Sequence, residues 1–559
     1  MNRLSARGGD SSGRTGSPPR VLVIGLDGAT FDLLDVWTER GLMPNLRRLA
    51  EDGTRAVLRS VMPPVTVPAW TSCITGVNPG KHGLFDFRKR VPGKLEHQPV
   101  SSRDLRVPTL WEMLARAGAQ VGLISVPGTY PLSSQTSFAI SGMLTPGMEA
   151  CFTNPPSLYD ELRPLLGDYV LDAPSFRLRS RKALLPFLDA LENCTRQRAR
   201  YAEHLLANRP WDAAMVVFMG LDRLQHVLWD VLTGEFSVHP QTPEMLRVRD
   251  RAEKYISLLD RAVGQVLSAC PQDTDVLIVS DHGFGPLRRR FRLNQWLMRR
   301  GLLAPSLRKG RAGRLLAAAD VFRLRRHLGR LFRHMRPSTG PPFWRWIDWS
   351  RTRAYSPSWT EAGVYVNLKG REAEGIVAPG AEYEQVREEV LHQLRQVTDP
   401  DTGNPLVTSA GRREDFMDGP HVEGAPDVIL ILDNIACTVD VRLEGPLLEK
   451  ASWDSGTGTH RFEGVLIGCG PRVKRGQRLD DVRIIDVTPT VLHLFGFAPP
   501  EHMDGRPLHE MLVPEAADIT PTALPPSSAG EKPAAPPDRP YSEEEARRVA
   551  ERLRDLGYL

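Results

Sequence analysis

The chain has 559 residues, 41% of them hydrophobic and 25% charged, with a formal net charge of +5. The length suits one large α/β domain with insertions or about two to four average domains, and the composition is that of an ordinary soluble globular protein. No apolar run approaches the length that spans a bilayer, and six cysteines scattered without CxxC spacing argue against a disulfide framework or a cysteine zinc site.

Residues 1–19 are polar and rich in Gly, Ser and Arg, which predicts a disordered segment without the apolar stretch of a signal peptide. Arg20 to Leu26 is a continuous apolar run, a buried strand ending at Asp27-Gly28. A helix is predicted from Met43 to Glu51, with Pro44 in its first turn, and a strand over 56–61. The Pro-rich bend from Pro63 to Trp70 precedes a helix closed by Gly76. Helix from Pro108 to Ala117 and strand from Gln120 to Val126 come next. Residues 155–209 read as largely helical, and Ala213 to Met219 as a strand ended by Gly220-Leu221-Asp222. Glu244 to Ala269 is a long amphipathic helix, and Asp275 to Ser280 a buried strand ended by Asp281-His282-Gly283. This alternation predicts an α/β fold with a mostly parallel sheet and helices on both faces.

After Pro286 the pattern breaks. Residues 288–336 carry 16 Lys and Arg against one acid, Asp320, and read as basic helices; Val321, Leu324, Leu328, Leu331 and Met335 recur at a spacing that lines one helix face. Strands are predicted within 353–368 and over 428–432, with a charged helix over 381–397 between them. The core resumes near 453 with Thr459-His460, a strand from Gly464 to Ile467 and a helix from Asp486 to Phe495. The expected organisation is therefore a first part of a catalytic core over 20–286, an inserted cap over 287–440, a second core part over 441–512, a Pro/Ala-rich linker over 513–540 and a terminal helix over 541–559.

Open α/β sheets place their chemistry just outside the carboxyl ends of strands. Three predicted strands end in such chemistry: at Asp27, at Asp222 with His226, and at Asp281 with His282; His460 comes back late in the chain. The four-residue spacing of Asp222 and His226 puts both on one helix face. Each residue alone also has a plain structural reading: Asp27 as a turn residue, Asp222 and Thr66 as helix caps, His226 and His460 as surface or loop histidines. His82, in Asn78-Pro79-Gly80-Lys81-His82-Gly83, reads as structural rather than as a further ligand. Together, carboxylates and imidazoles at three strand ends suit a pair of divalent ions, which about 3.5–4 Å apart would clamp both sides of an in-line displacement at phosphorus.

The set Gly25-Leu26-Asp27-Gly28, Thr66-Val67-Pro68, Thr75-Gly76, Pro79, His82-Gly83, Asp222 with His226, Ser280-Asp281-His282-Gly283 and Gly458-Thr459-His460 resembles the alkaline phosphatase superfamily. Within it the chain is most similar to the type I phosphodiesterase/nucleotide pyrophosphatase branch, over roughly 20–286 and 440–510. The resemblance implies an alkaline-phosphatase-like core and Thr66 as a nucleophile that is transiently phosphorylated or nucleotidylated. It implies that Asp27, Thr66, Asp281 and His282 hold one zinc ion and that Asp222, His226 and His460 hold another, with manganese or iron as alternatives. Nucleotide pyrophosphatases of this branch usually carry Asn three residues after the threonine, where its amide binds a phosphate oxygen. This chain has Ala69 there, and Lys81 is the candidate substitute donor.

The expected activity is hydrolysis of phosphodiester or pyrophosphate bonds on a nucleotide, nucleotide-sugar or lipid-headgroup type of small molecule. Phosphomonoester hydrolysis, phosphonate hydrolysis and headgroup transfer are alternatives on the same core, and a metal-binding scaffold is the non-enzymatic one. No nucleic-acid partner is expected. The basic stretch 315–336 reads either as a lid or as a peripheral membrane contact, and the location expected from cysteine usage is the reducing cytoplasm.

Overall fold

The computed structural model describes residues 19–91, 93–172, 174–175, 177–178, 180–306, 343–453, 456–525, 541–556 and 558. The basic stretch 315–336, most of the N-terminal segment and residues 526–540 of the linker lie outside these. Among the described residues no helix is long and apolar enough to cross a membrane.

Strand Arg20–Leu26 is the centre of a nine-stranded sheet. It pairs in parallel with Ala213–Phe218 on one side and with Thr274–Val279 on the other. Beyond Ala213–Phe218 come Val121–Val126 and Phe138–Ser141, also parallel, and the short antiparallel edge Thr153–Asn154. Beyond Thr274–Val279 lies Glu463–Cys469, antiparallel to it and to Thr54–Arg59, which pairs in parallel with Gln477–Arg483. Successive side chains of a strand point to opposite faces. In Val121–Val126, Ala213–Phe218 and Thr274–Val279 every residue is buried, so both faces of the sheet are covered. This is the α/β architecture with a mostly parallel sheet that the alternation of apolar runs predicts.

The long helices Leu184–Asn208 and Pro243–Ser268 pack on one another and bury Tyr201, Leu205, Tyr255, Leu259 and Val263. A second sheet of seven strands takes its members from between residues 289 and 450, with its own apolar cluster around Phe291, Trp296, Tyr365, Val390 and Leu430. Its strand Arg289–Arg292 corrects the expectation of helix directly after Pro286: these residues form a strand that pairs with Cys437–Asp440 and Leu448–Lys450, and among the described residues up to 306 the helix is Leu293–Arg299.

Two local features position Thr66 and His460. Helix Thr66–Thr75 begins at Thr66 itself, inside the stretch expected as a bend before the helix, because Pro68 falls in the first turn, where a missing N–H costs nothing. The strand Gly283–Pro286 pairs antiparallel with Gly458–Arg461, which sets Phe284 opposite His460 and carries that late histidine to within a residue of His282.

Candidate active site

The carboxyl ends of the three central strands converge. The Asp222 amide donates to the Asp27 carbonyl at 3.1 Å, and the Gly28 amide donates to Asp281 Oδ1 at 3.2 Å. Gly28 has φ +71°, and a Cβ there would lie 3.1 Å from the Asp222 Cα, so both conformation and space call for glycine. Helix Thr66–Thr75 is tied to the same place one turn after its first residue: Trp70 Nε1 donates to Asp27 Oδ2 at 2.8 Å. The Trp70 ring reaches there across Gly25, where a Cβ would sit 2.5 Å from the indole.

All seven residues Asp27, Thr66, Asp222, His226, Asp281, His282 and His460 are buried. Asp222 Oδ1 lies 3.3 Å from His226 Nε2 and 3.2 Å from His460 Nε2, and those two nitrogens are 3.1 Å apart. His282 Nε2 lies 3.3 Å from Asp281 Oδ2 and 3.8 Å from Asp27 Oδ1. Ligand atoms of Asp27, Asp281 and His282 all fall within 4.8 Å of one another, and so do those of Asp222, His282 and His460. The rings of His282 and His460 stack at 3.7 Å, so His282 borders both groups.

The outer nitrogens decide the protonation pattern. Nδ1 of His226 faces the Gly458 carbonyl at 3.2 Å, Nδ1 of His460 the Pro64 carbonyl at 2.8 Å, and Nδ1 of His282 the Gly283 carbonyl at 3.0 Å. A carbonyl only accepts, so in each neutral ring the proton is on Nδ1 and Nε2 presents a lone pair inward. Burial pushes His282 well below the usual imidazole range, helped by His460, and burial lowers His226 as well. Burial, with the Asp222 charge, raises Asp27 well above the carboxylate range; burial and Asp27 raise Asp281. Burial also opposes ionisation of Asp222, but His226, His460 and Arg223 outweigh it and hold that carboxyl low.

With each Nδ1 facing a carbonyl, the Nε2 lone pairs face the carboxyl oxygens. Asp27 Oδ1, Thr66 Oγ1, Asp281 Oδ2 and His282 Nε2 are buried without a hydrogen-bond partner. A tetrahedral ion with ligands at about 2.0–2.1 Å sets its donors roughly 3.3 Å apart, the spacing found around Asp222. Oxygen and imidazole donors, inward lone pairs and this spacing fit divalent metal ions.

His82 belongs elsewhere. Its Nδ1 accepts from the Leu84 amide at 3.1 Å, which leaves Nε2 to donate to Ser72 Oγ at 3.0 Å. Lys81 does not fill the place left by Ala69: its ammonium is held by Asp504 and by the His502 carbonyl at 3.0 Å. Sequence reasoning missed three residues. Trp70 was legible as the position one helical turn after Thr66. Arg223 Nη1 donates to Asp222 Oδ2 at 3.0 Å and to the Tyr558 hydroxyl at 2.5 Å, and Tyr558 donates to Asp222 Oδ2 at 3.3 Å. Nothing in the local sequence ties Tyr558 to a residue so distant in the chain. A cleft of about 450 Å³ opens beside His226 and Thr459, walled on the second-sheet side by Arg290, Asp440 and Arg442.

The model of the type I phosphodiesterase / nucleotide pyrophosphatase family matches residues 21–444. No curated protein matches the chain. Among solved structures, phosphonoacetate hydrolase from Sinorhizobium meliloti 1021, in complex with phosphonoformate, aligns at 17% identity over 84% of this chain and 94% of that one, with a TM-score of 0.49. Human ectonucleotide pyrophosphatase / phosphodiesterase 5 aligns at 14% identity over 88% and 99%, with a TM-score of 0.48. An inactive variant of the murine protein, in complex with AMP, aligns at 12% identity over 89% and 100%, with a TM-score of 0.49. By the family match, the chain belongs to the type I phosphodiesterase / nucleotide pyrophosphatase family, a family of metal-dependent phosphoric ester hydrolases.

Proposed function

We propose that this protein hydrolyses phosphodiester or pyrophosphate bonds with two divalent ions, zinc in the first instance, and Thr66 as nucleophile. In this reading Asp27, Thr66, Asp281 and His282 hold one ion and Asp222, His226 and His460 the other. The bound ions supply Lewis acidity to the phosphoryl oxygens and favour the ionised threonine hydroxyl. The observation that carries the reading is the set of three buried imidazoles, each with its Nδ1 proton committed to a carbonyl and its Nε2 turned toward buried carboxylates.

Thr66 Oγ1 stands at the first turn of its helix, where unpaired amides favour the negative charge of a phosphoryl group. It attacks phosphorus, the bond to the leaving group breaks, the leaving group takes up the threonine proton, and a threonine ester forms that keeps the other substituent on phosphorus, a phospho-threonine where the substrate is a monoester. Water then attacks phosphorus and releases Thr66. Burial of Thr66 and of the ligands keeps bulk water from competing. The cleft beside His226 has room for the leaving group, and the second sheet acts as the cap that shapes it.

Thr66→Ala tests the scheme: turnover falls to background while the fold stays intact, Thr66→Ser keeps part of the activity, and a quenched reaction adds to the Thr66 peptide the mass of the phosphoryl group with its remaining substituent. An active Thr66→Ala enzyme would overturn the covalent route. Monoester or phosphonate hydrolysis and headgroup transfer form a second reading, favoured by buried Ala69 with no amide and by Lys81 bound to Asp504. A panel of nitrophenyl monoesters, diesters and phosphonates separates them; a tenfold monoester preference, about 1.4 kcal/mol of transition-state discrimination, selects the second. Six unpaired cysteines support a reducing, cytoplasmic setting for the reaction.

A further inference from the structure

Asp222 uses its two oxygens differently. Oδ1 faces His226 and His460, while Oδ2 takes a hydrogen bond from Arg223 and another from Tyr558. Tyr558 is fully buried and comes just after the helix Glu543–Leu556. Its hydroxyl accepts from Arg223 and donates to Asp222, so it links the guanidinium to the carboxylate. Its ring lies 4.1 Å from Phe87 of the main core and stacks within 5° of Trp359, which borders the cleft beside His226. The Arg223 guanidinium carbon lies 5.1 Å from the same ring.

The helix that delivers Tyr558 is well anchored. Val549, Leu553 and Leu556 are buried, Arg552 donates to the Thr145 and Pro146 carbonyls at 2.6 and 3.0 Å, and the Tyr541 hydroxyl contacts the Val100 and Leu144 carbonyls at 3.1 and 3.0 Å. A buried carboxylate with one free rotation would otherwise turn either oxygen inward; two donors on Oδ2 fix which one does. We propose that Tyr558 is a positioning residue for Asp222, so that docking of the Glu543–Leu556 helix completes the metal site. The inference rests on the reading of Asp222, His226 and His460 as ligands of one ion.

The test is a competition titration of zinc against a chromophoric chelator, on the full chain and on the Tyr558→Phe and Tyr541→Phe variants, alongside kcat and KM. Tyr558→Phe keeps the ring contacts and loses only the hydroxyl. It is expected to bind one of two ions about 10–100-fold more weakly, the usual cost of losing such a supporting partner, and to lose kcat with KM within about twofold. Tyr541→Phe, which loosens the same helix at its far end, is expected to melt lower yet keep both ions and kcat within about twofold. Two tight ions and an unchanged kcat in Tyr558→Phe overturn the inference, and so does an equal loss of ion affinity in both variants. A wild-type chain that binds no ion overturns the metal reading itself.

Discussion

His82 shows what a buried histidine does when it is not a ligand. It accepts from an amide and donates to Ser72, and burial pushes it down to about 3. The unfolded chain takes up this proton below about pH 6.5, while the folded chain refuses it until about pH 3. Stability is therefore complete above that range and falls as pH drops through it, with a slope of up to about 1.4 kcal/mol per pH unit. Denaturant melts in excess chelator should show a flatter pH dependence for His82→Asn than for wild type between about pH 6 and 4; equal slopes would remove His82 from the account. Ligand residues behave differently. Asp281→Ala or His282→Ala should release one ion and nearly all turnover, and His460→Ala should impair the other, as read by metal content after gel filtration. Near-native turnover with two ions in each variant would sink the assignment. Trp70→Phe strips one donor from buried Asp27. A hydrogen bond to a charged group contributes about 1.5–3 kcal/mol, so kcat/KM should fall by about tenfold or more while Thr66 is untouched.

At the scale of elements, the helix that carries Thr66 is held by packing as well as by hydrogen bonding. Gly25 leaves room on the central strand for the Trp70 ring, and a Gly25→Ala methyl would meet the indole at 2.5 Å and Val217 at 2.9 Å. Overpacking of this kind costs about 1–3 kcal/mol; the variant should melt lower and lose activity out of proportion to its melting, because the helix that carries Thr66 is what moves. The same element level explains what was legible beforehand. The central strands were readable because strands covered on both faces appear as unbroken apolar runs, and their ends announced Asp27, Asp222 and Asp281. Edge strand Gln477–Arg483, with polar residues at most positions, and Arg289–Arg292, hidden in a basic run, carry no such signal. The start of the Thr66 helix was placed late because three prolines in Pro63 to Pro68 read as a bend, although Pro68 is tolerated in a first turn. Tyr558 was invisible for a simpler reason: its hydrogen bonds span more than three hundred residues, and no periodicity records such a contact.

At the scale of the molecule, metal and fold should be coupled. The proposed ligands come from five separate regions of the chain, so ions would bind the native state and not the unfolded one. Free zinc at about one hundred times its dissociation constant should add roughly 2.7 kcal/mol of stability per site, measured as a higher melting temperature that chelator reverses. Equal melting with and without chelator would mean that no ion is held at these residues.

Strand Glu463–Cys469 sits between Thr274–Val279 and Thr54–Arg59, pairing antiparallel with both. Its neighbours are made far earlier in synthesis, and the whole second sheet is made between them and it. Until that strand emerges, Thr274–Val279, whose residues are all buried in the finished sheet, is an open edge, and Thr54–Arg59 has neither of its partners, the kind of unpaired strand that invites aggregation. His460, three residues before the strand, arrives at the same moment. Pairing so distant in sequence predicts slow folding, and the same late strand closes the sheet beside the candidate site: a nascent chain stalled before residue 463 should be both chaperone-bound and inert.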